Sequence, residues 1–271
     1  MKLKCKVLVV LAMAVLSLSS CTLTEDGMSL TTKPSNSTIL FENPYKFIGQ
    51  LHNDALDSVK VQGIRKDQLK VFTRDFTQRH FAQMSEFLNL QQEENGGQNA
   101  EISINRGFEI GKRINEAKTR ATIDELSDSL IMAFPIEGQK YIVRMYEICD
   151  EEESDTVKIC QNFSKLDYSI TTDTTVNDTL KHALLATSAI AKATNIYNAN
   201  ETMTRGATAS SLAKTDLGGA IMGIIGRGVF VKAAFSGLVF GPSGIVCCFA
   251  REAVRGAIVS SAFHLASGGV F

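Results

Sequence analysis

The sequence predicts an all-α protein: an irregular helical bundle that ends in a glycine-rich helical hairpin. Two observations lead to this fold class. Apolar residues recur at intervals of three and four through residues 43–202, and the alternation typical of strands is rare. From residue 216 onward the chain is largely apolar and holds more than half of its 20 glycines, a composition that favours closely packed helices. We therefore expect helices throughout.

The N-terminus has the pattern of a bacterial export signal. A lysine-rich start at residues 2–6 precedes an apolar run at residues 7–16, which is too short to span a bilayer. Leu18-Ser19-Ser20-Cys21 then follows and resembles the lipobox of bacterial lipoproteins. This resemblance implies cleavage before Cys21 and attachment of fatty acids such as palmitate to the new N-terminus. An ordinary secretory peptide followed by a chance cysteine is the alternative.

The predicted organisation has five parts. Residues 1–20 form the signal peptide, and residues 21–42, rich in Thr and Ser, form an acylated flexible tether. A helical domain over 43–202 is followed by a linker of small and polar residues at 203–215 and by the hairpin at 216–271. The membrane is thus the expected partner through the lipid, and the expected location is the bacterial cell envelope, at the outer membrane with its leaflet left open.

Several helix boundaries are predicted from capping residues. Asn43-Pro44 has the chemistry of a helix start, and Gly63 is expected to end that first helix. Gln and Gly residues at 91–98 indicate a loop, and Pro135 should stop the helix before it. Asp173 should break the chain ahead of a long helix at 176–197.

Two alternatives exist for the C-terminal hairpin. Gly219-x-x-x-Gly223 and Gly237-x-x-x-Gly241 have the spacing that lets helix backbones approach closely, and Gly241-Pro242-Ser243-Gly244 suggests the tip. Arg227 and Lys232 interrupt the first apolar stretch, and charges are costly in lipid. We therefore expect the hairpin to pack against the domain. Insertion into a membrane is the alternative, and residues 216–271 could also bind a protein partner or self-associate.

The composition argues against several classes of activity. Removing the three leader lysines from 28 basic and 29 acidic residues leaves a net charge of −4 without a clustered basic face, so we expect no nucleic-acid partner. The four histidines are not at metal-ligand spacing, and no motif of a hydrolase or metalloprotease occurs. His52 with Asp54 and Asp57 is the best polar cluster. We predict no catalytic residue, no metal, no cofactor and no enzymatic activity.

Cysteine and threonine residues supply the remaining candidate sites. Cys149 and Cys160 flank an acidic segment at 150–155, where either a disulfide or two separate half-buried thiols would fit. Cys247 and Cys248 are expected to be buried small hydrophobic residues. Asp-Ser/Thr-apolar triplets recur in the chain and resemble the O-glycosylation acceptor of exported Bacteroidota proteins. The expected acceptors in loops are Thr156, Thr174 and Thr179.

Three segments also resemble a set of uncharacterised Bacteroidota lipoproteins. The first is Asn43-Pro44-Tyr45 with Gly49 and His52-Asn53, and the second is the helix Ala189-Ile190-Ala191-Lys192-Ala193-Thr194-Asn195-Ile196-Tyr197. The third begins the glycine-rich tail, Thr215-Asp216-Leu217-Gly218-Gly219-Ala220. Ala193 stands where that set usually has a histidine. The resemblance implies architecture and location, and it brings no known activity.

Overall fold

The protein is all-helical in the part of the chain that the computed structural model describes. That part comprises residues 41–88, 96–117, 120–151, 155–200, 207–225, 229–231, 233 and 242–267, and it contains no strand. The predicted fold class is confirmed. The signal peptide, Cys21, nearly all of the tether and the Gly237-x-x-x-Gly241 motif lie outside the described residues.

Nine α-helices and one short 3₁₀ turn have their bounds within the described residues, and residues 229–231 and 233 are helical as well. The helices are α1 Lys46–Gln62, α2 Leu69–Leu88, α3 Gly96–Glu116, α4 Arg120–Ala133, α5 Ile136–Asp150, α6 Thr156–Thr172, α7 Asp178–Asn200, α8 Ala207–Ile224 and α9 Pro242–Ala266. The 3₁₀ turn, Lys66–Gln68, joins α1 to α2.

Local chemistry explains several of the helix ends. Gly63 ends α1 with φ 61°, a left-handed conformation that glycine adopts at little cost. Pro135 separates α4 from α5, as predicted. Asp155 caps α6 by accepting hydrogen bonds from the backbone amides of Val157 and Lys158.

The start of α1 differs slightly from the prediction. The helix begins at Lys46, because the Asn43 carboxamide accepts the backbone amide of Tyr45 at 2.8 Å and closes a turn ahead of the helix. The Asn43 Nδ2 also donates to the carbonyl of Leu185 at 3.0 Å. Asn43 therefore attaches the beginning of α1 to α7 as well as shaping the turn.

The predicted linker at 203–215 is wrong over residues 207–215. These residues form the first half of α8, and Leu212, Ala213, Lys214 and Thr215 are buried. Its residues are mostly small and polar, but residues 207–215 are rich in alanine and include neither proline nor glycine, so nothing in this stretch stops the helix. Residues 40–271 form one compact unit, so the hairpin is not a separate part.

Helix α9 is the centre of this unit and packs against α8, α3, α2, α1 and α7. Its side chains from Ala253 to Phe263 are all buried, so it has no solvent-facing stripe there. No helix in the described ranges has both the length and the hydropathy required to cross a membrane.

Glycines bring α9 unusually close to its two main neighbours. A Cβ on Gly107 of α3 would lie 2.3 Å from the carbonyl oxygen of Gly256, and one on Gly219 of α8 would lie 2.5 Å from the same atom. Contacts at a constant offset, from Gly107–Gly256 to Gly111–Ser260, show that α3 runs parallel to α9. Helix α8 runs antiparallel to α9, since Gly219 meets Gly256 and Gly223 meets Glu252. The Gly219-x-x-x-Gly223 motif therefore packs α8 against α9.

Two adjacent glycines of α8 give a matched test of this packing. Gly219→Ala would force a Cβ against the backbone of α9, and we expect it to lower the free energy of unfolding by about 1–3 kcal/mol. Gly218→Ala meets only the side-chain ends of Leu130 and Ile110, at 3.1 and 3.2 Å, and adds helix propensity. Chemical denaturation should show the larger loss for Gly219→Ala. Equal losses would contradict the packing of α8 on α9.

Candidate functional site

A buried histidine and a buried aspartate meet in the core of the bundle. His52 of α1 and Asp216 of α8 are both 0% exposed, and the His52 Nε2 lies 3.4 Å from the Asp216 Oδ2. The polar cluster expected from the sequence, His52 with Asp54 and Asp57, is not a common site, because these residues of α1 differ in burial. Asp54 and Asp57 are exposed, and Asp57 accepts a hydrogen bond from the hydroxyl of Tyr197 at 2.5 Å.

Three further polar side chains surround the pair. Thr194 of α7 donates to the Asp216 Oδ2 at 2.5 Å. The Ser261 hydroxyl of α9 lies 3.3 Å from the His52 Nε2, and the Asn53 Oδ1 lies 3.1 Å from the His52 Nδ1. The pair therefore sits where α1, α7, α8 and α9 meet, and we call these five residues the polar centre.

The hydrogen-bond partners determine which His52 nitrogen carries the hydrogen. The Asn53 Nδ2 donates to the carbonyl of Ala193 at 3.3 Å, so its Oδ1 faces His52 as an acceptor and the His52 Nδ1 donates. The Ser261 hydroxyl donates to the carbonyl of Ala257 at 2.8 Å. A neutral imidazole with its hydrogen on Nδ1 has an acceptor at Nε2. Because the Ser261 hydroxyl donates elsewhere, a protonated Asp216 is the group placed to donate to the His52 Nε2.

Burial sets the protonation of both groups. Burial lowers the pKa of His52 to about 4, because the charged imidazolium loses its hydration, and the hydrogen bond with Asn53 opposes this effect. Burial also raises the pKa of Asp216 well above its ordinary value, against the opposing hydrogen bond from Thr194. Both shifts favour a neutral histidine beside a neutral carboxylic acid.

The polar centre brings together all three segments on which the family resemblance rests. His52 and Asn53 come from the first segment, Thr194 from the second and Asp216 from the third. Helices α1 and α7 approach closely beside it, since a Cβ on Gly49 would lie 2.6 Å from the Cβ of Ala193. A side chain at position 49 would therefore collide with Ala193 and with the backbone of α7.

A second buried polar cluster lies further toward the N-terminus of α9. Glu252 and Arg255 are 3% and 5% exposed, and the Arg255 NH1 donates to the Glu252 Oε1 at 3.1 Å. The Ser103 hydroxyl of α3 donates to the other oxygen of Glu252, and the Arg255 Nε donates to the Thr77 Oγ1 of α2 at 3.3 Å. This ion pair links α9 to α3 and α2, and its charges are compensated within the core.

Two other buried charged residues connect the outer helices. The Lys214 ammonium of α8 lies 2.9 Å from Asp150 and 3.1 Å from Asp124, which ties α8 to α5 and α4. Asp167 of α6 is 0% exposed and accepts a hydrogen bond from the Ser188 hydroxyl at 2.5 Å. Burial raises the pKa of Asp167 to about 6, and the hydrogen bonds from Ser188 and Asn43 oppose that rise.

Cys149 and Cys160 are free thiols, so the disulfide considered for them is not formed. Cys149 is buried on α5 and faces α7, where the Asn195 Nδ2 lies 3.3 Å from its Sγ. Burial raises the pKa of the Cys149 thiol to about 12. Cys160 is half-buried on α6. The structure matches the alternative of two separate thiols, and the expected burial of Cys247 and Cys248 is confirmed.

The three threonines predicted as glycosylation acceptors differ in exposure. Thr174 is exposed in the turn between α6 and α7, whereas Thr156 and Thr179 lie half-buried in the first turns of α6 and α7. Of the three, Thr174 has the accessibility that modification requires. Cys21, the predicted lipidation site, lies outside the described residues.

The described surface has two shallow depressions beside the 3₁₀ turn. One of about 500 Å³ is lined by the segment from Val59 to Asp67 together with Ala266, and the other, of about 360 Å³, by residues of the turn and of α2. Neither is lined by a member of the polar centre. Among the described residues, no group of three or more His, Cys, Asp or Glu side chains is arranged to hold a metal ion.

Sequence reasoning missed Asp216, Glu252 and Arg255. The signal was the occurrence of these charges in an apolar, glycine-rich segment. A charge at such a position requires a partner wherever the helix is buried, but the sequence does not say which partner. Comparisons of the chain with family models, curated proteins and solved structures found no match.

The Glu252–Arg255 pair gives a stability prediction. Arg255→Met would leave Glu252 in the core with only Arg251, whose Nε lies 3.4 Å from its Oε1, as counter-charge, and we expect a loss at the lower end of about 3–5 kcal/mol in the free energy of unfolding. Replacing both residues by Met should cost less than Arg255→Met alone, because no unpaired charge is then buried. Denaturant unfolding measures both variants.

The exposed Arg65–Asp67 pair supplies the control for that prediction. Its side chains are 72% and 69% exposed, so Arg65→Met should leave the unfolding midpoint nearly unchanged. A small loss for Arg255→Met would contradict the burial of the ion pair.

Proposed function

We propose that the chain is a lipid-anchored protein of the bacterial cell envelope, and that its helical unit is a structural or binding module without enzymatic activity. The observation that carries the anchoring is Leu18-Ser19-Ser20-Cys21 directly after a lysine-rich start and an apolar run of ten residues. An acylated Cys21 would hold the protein at the membrane, because each buried methylene contributes about 0.8 kcal/mol.

The arrangement of the core supports a module without catalysis. His52, Asp216, Thr194 and Ser261 are residue types that serve in catalysis elsewhere, but all four are 0% exposed. Each makes at least one hydrogen bond or ion-pair contact between helices or within its own helix. A substrate would have to separate the helices to reach them. Their arrangement instead suits the function of joining four helices in a fixed geometry.

Acylation can be tested directly at Cys21. Growth with an alkyne-labelled fatty acid should label the wild-type protein and place it in the membrane fraction. Cys21→Ala should abolish both the label and the membrane association, because it removes the only proposed acceptor. Cys160→Ala is the matched control and should keep the label. Fatty acid that remains on Cys21→Ala, or its absence from the wild-type protein, would contradict the proposed anchor.

A second candidate function is membrane activity of the glycine-rich segment. The observation that favours it is the composition of α8 and α9, the two most apolar described helices, which contact each other and α3 through glycines. Against it, both helices are buried by the rest of the unit, and α9 carries Glu252 and Arg255. Insertion would require α9 to leave its contacts with five other helices.

The unacylated mature chain separates these two candidates. As a packed module, residues 21–271 with Cys21→Ala should stay soluble and leave dye-loaded vesicles intact, because α8 and α9 are covered by the other helices. The intact chain is required, since removing residues 216–271 would remove the central helix α9. Dye leakage, or resistance to extraction by carbonate, would favour membrane activity and contradict the packed module.

A further inference from the structure

The His52–Asp216 pair is sealed at the junction of four helices. Both side chains are 0% exposed, and their nearest polar neighbours are the uncharged Asn53, Thr194 and Ser261. Such a site strongly disfavours any net charge, because neither water nor a further counter-ion can compensate it.

Counting protons gives the preferred state of the pair. Protons are counted relative to a neutral His52 and an ionised Asp216. Without an additional proton the pair contains a buried anion, Asp216, and with two additional protons it contains a buried cation, His52. With one proton, the pair has no net charge, whether that proton resides on Asp216 or on His52. The preference for one additional proton therefore follows from the burial and proximity of the two groups, whichever of them carries it.

We propose that the folded domain holds one proton between His52 and Asp216, and that this proton keeps α1, α7, α8 and α9 together. Loss of the proton would leave an uncompensated carboxylate among the four helices. The junction is thus a proton-dependent lock that weakens as the pH rises.

The groups around the pair supply no compensating charge. On α8, Lys214 directs its ammonium to Asp124 and Asp150, at 3.1 and 2.9 Å. On α5, Cys149 interacts with Asp216 as a thiol, because burial raises its pKa to about 12.

The remaining helices also supply no compensating charge. On α9, burial lowers the pKa of His264. Arg255 of α9, with its partner Glu252, lies six residues from Ser261, about 9 Å along the helix. Helix α7 contributes the hydroxyl of Thr194, α3 places Gly111 against Ser260 of α9, and α1 contributes Asn53.

The sign of the pH dependence follows from the protons held by each state. In the unfolded chain, an ordinary aspartate is ionised above about pH 4 and an ordinary histidine is neutral above about pH 6.5. Above about pH 6.5 folding therefore takes up one proton, and the contribution of the pair to stability falls as the pH rises until Asp216 ionises in the folded state. Between about pH 4 and 6.5 the unfolded chain holds that proton on His52, so the pair contributes almost no slope.

Asp216→Asn isolates this contribution, because an asparagine has the shape of a protonated aspartate and cannot ionise. Between about pH 5 and 6.5 the variant becomes more stable as the pH rises, because His52 is neutral in its folded state and protonated in its unfolded state, and above about pH 6.5 the wild-type domain becomes less stable. The folding equilibrium constant of the wild-type domain, relative to that of Asp216→Asn, should therefore fall about tenfold per pH unit from about pH 5 upward. Asp54→Asn, the same change on the exposed side of α1, is the control and should show no such trend. A wild-type to Asp216→Asn ratio that stays constant over this range would overturn the proposal.

A measurement on the wild-type protein guards against a variant that fails to fold. In carbon-13 NMR, the Asp216 carboxyl should show the chemical shift of a protonated acid at pH 7. The His52 ring should at the same time show a hydrogen on Nδ1 and none on Nε2. If the proton lies on His52 instead, both ring nitrogens will carry hydrogen, and the pair still holds one proton. An ionised Asp216 beside a neutral His52 at pH 7 would overturn the proposal.

Discussion

The close approach of α9 to α3 and α8 is the constraint on which the rest of the structure depends. At Gly107, Gly219 and Gly256 the backbones are so near that a Cβ would collide with a carbonyl oxygen. Three helices in such contact bury α9, whose side chains from Ala253 to Phe263 are all buried, and dispersion contacts with its neighbours stabilise it. Glycine is unfavourable in an exposed helix by about 1 kcal/mol relative to alanine, so these helices depend on one another for their stability.

The burial of this central helix in turn determines how its polar residues behave. Glu252 and Arg255 remain charged partners because each lies beside the other, with Ser103 and Thr77 completing their hydrogen bonds. His52 and Asp216 are instead both neutral, because burial lowers the pKa of His52 and raises that of Asp216. Breaking either arrangement leaves a charge that the core cannot solvate. The polar residues therefore specify which helices pair and in which register.

The fold class was predictable from the sequence, whereas the polar centre was not. Helix periodicity and the punctuation by Gly63 and Pro135 depend on neighbours in the chain, and the structure confirms them. The linker prediction at 203–215 was wrong because a small-residue composition fits a closely packed helix as well as a linker. His52 and Asp216 are 164 positions apart, and their contact depends on how α1 and α8 pack around α9. Spacing along a sequence carries no information about such a pairing.

The same packing bears on where a function could reside. Side chains capable of chemistry occupy the interior, where they join helices, and the described depressions lie at the surface beside the 3₁₀ turn, away from the polar centre. The residues that line these depressions are therefore different from those of the polar centre. If the lipid at Cys21 fixes the protein to a membrane, the buried centre fixes the shape that it presents there. Substitutions at His52 or Asp216 should then impair any binding through loss of shape, whereas substitutions around the depressions would impair binding while the fold remains intact.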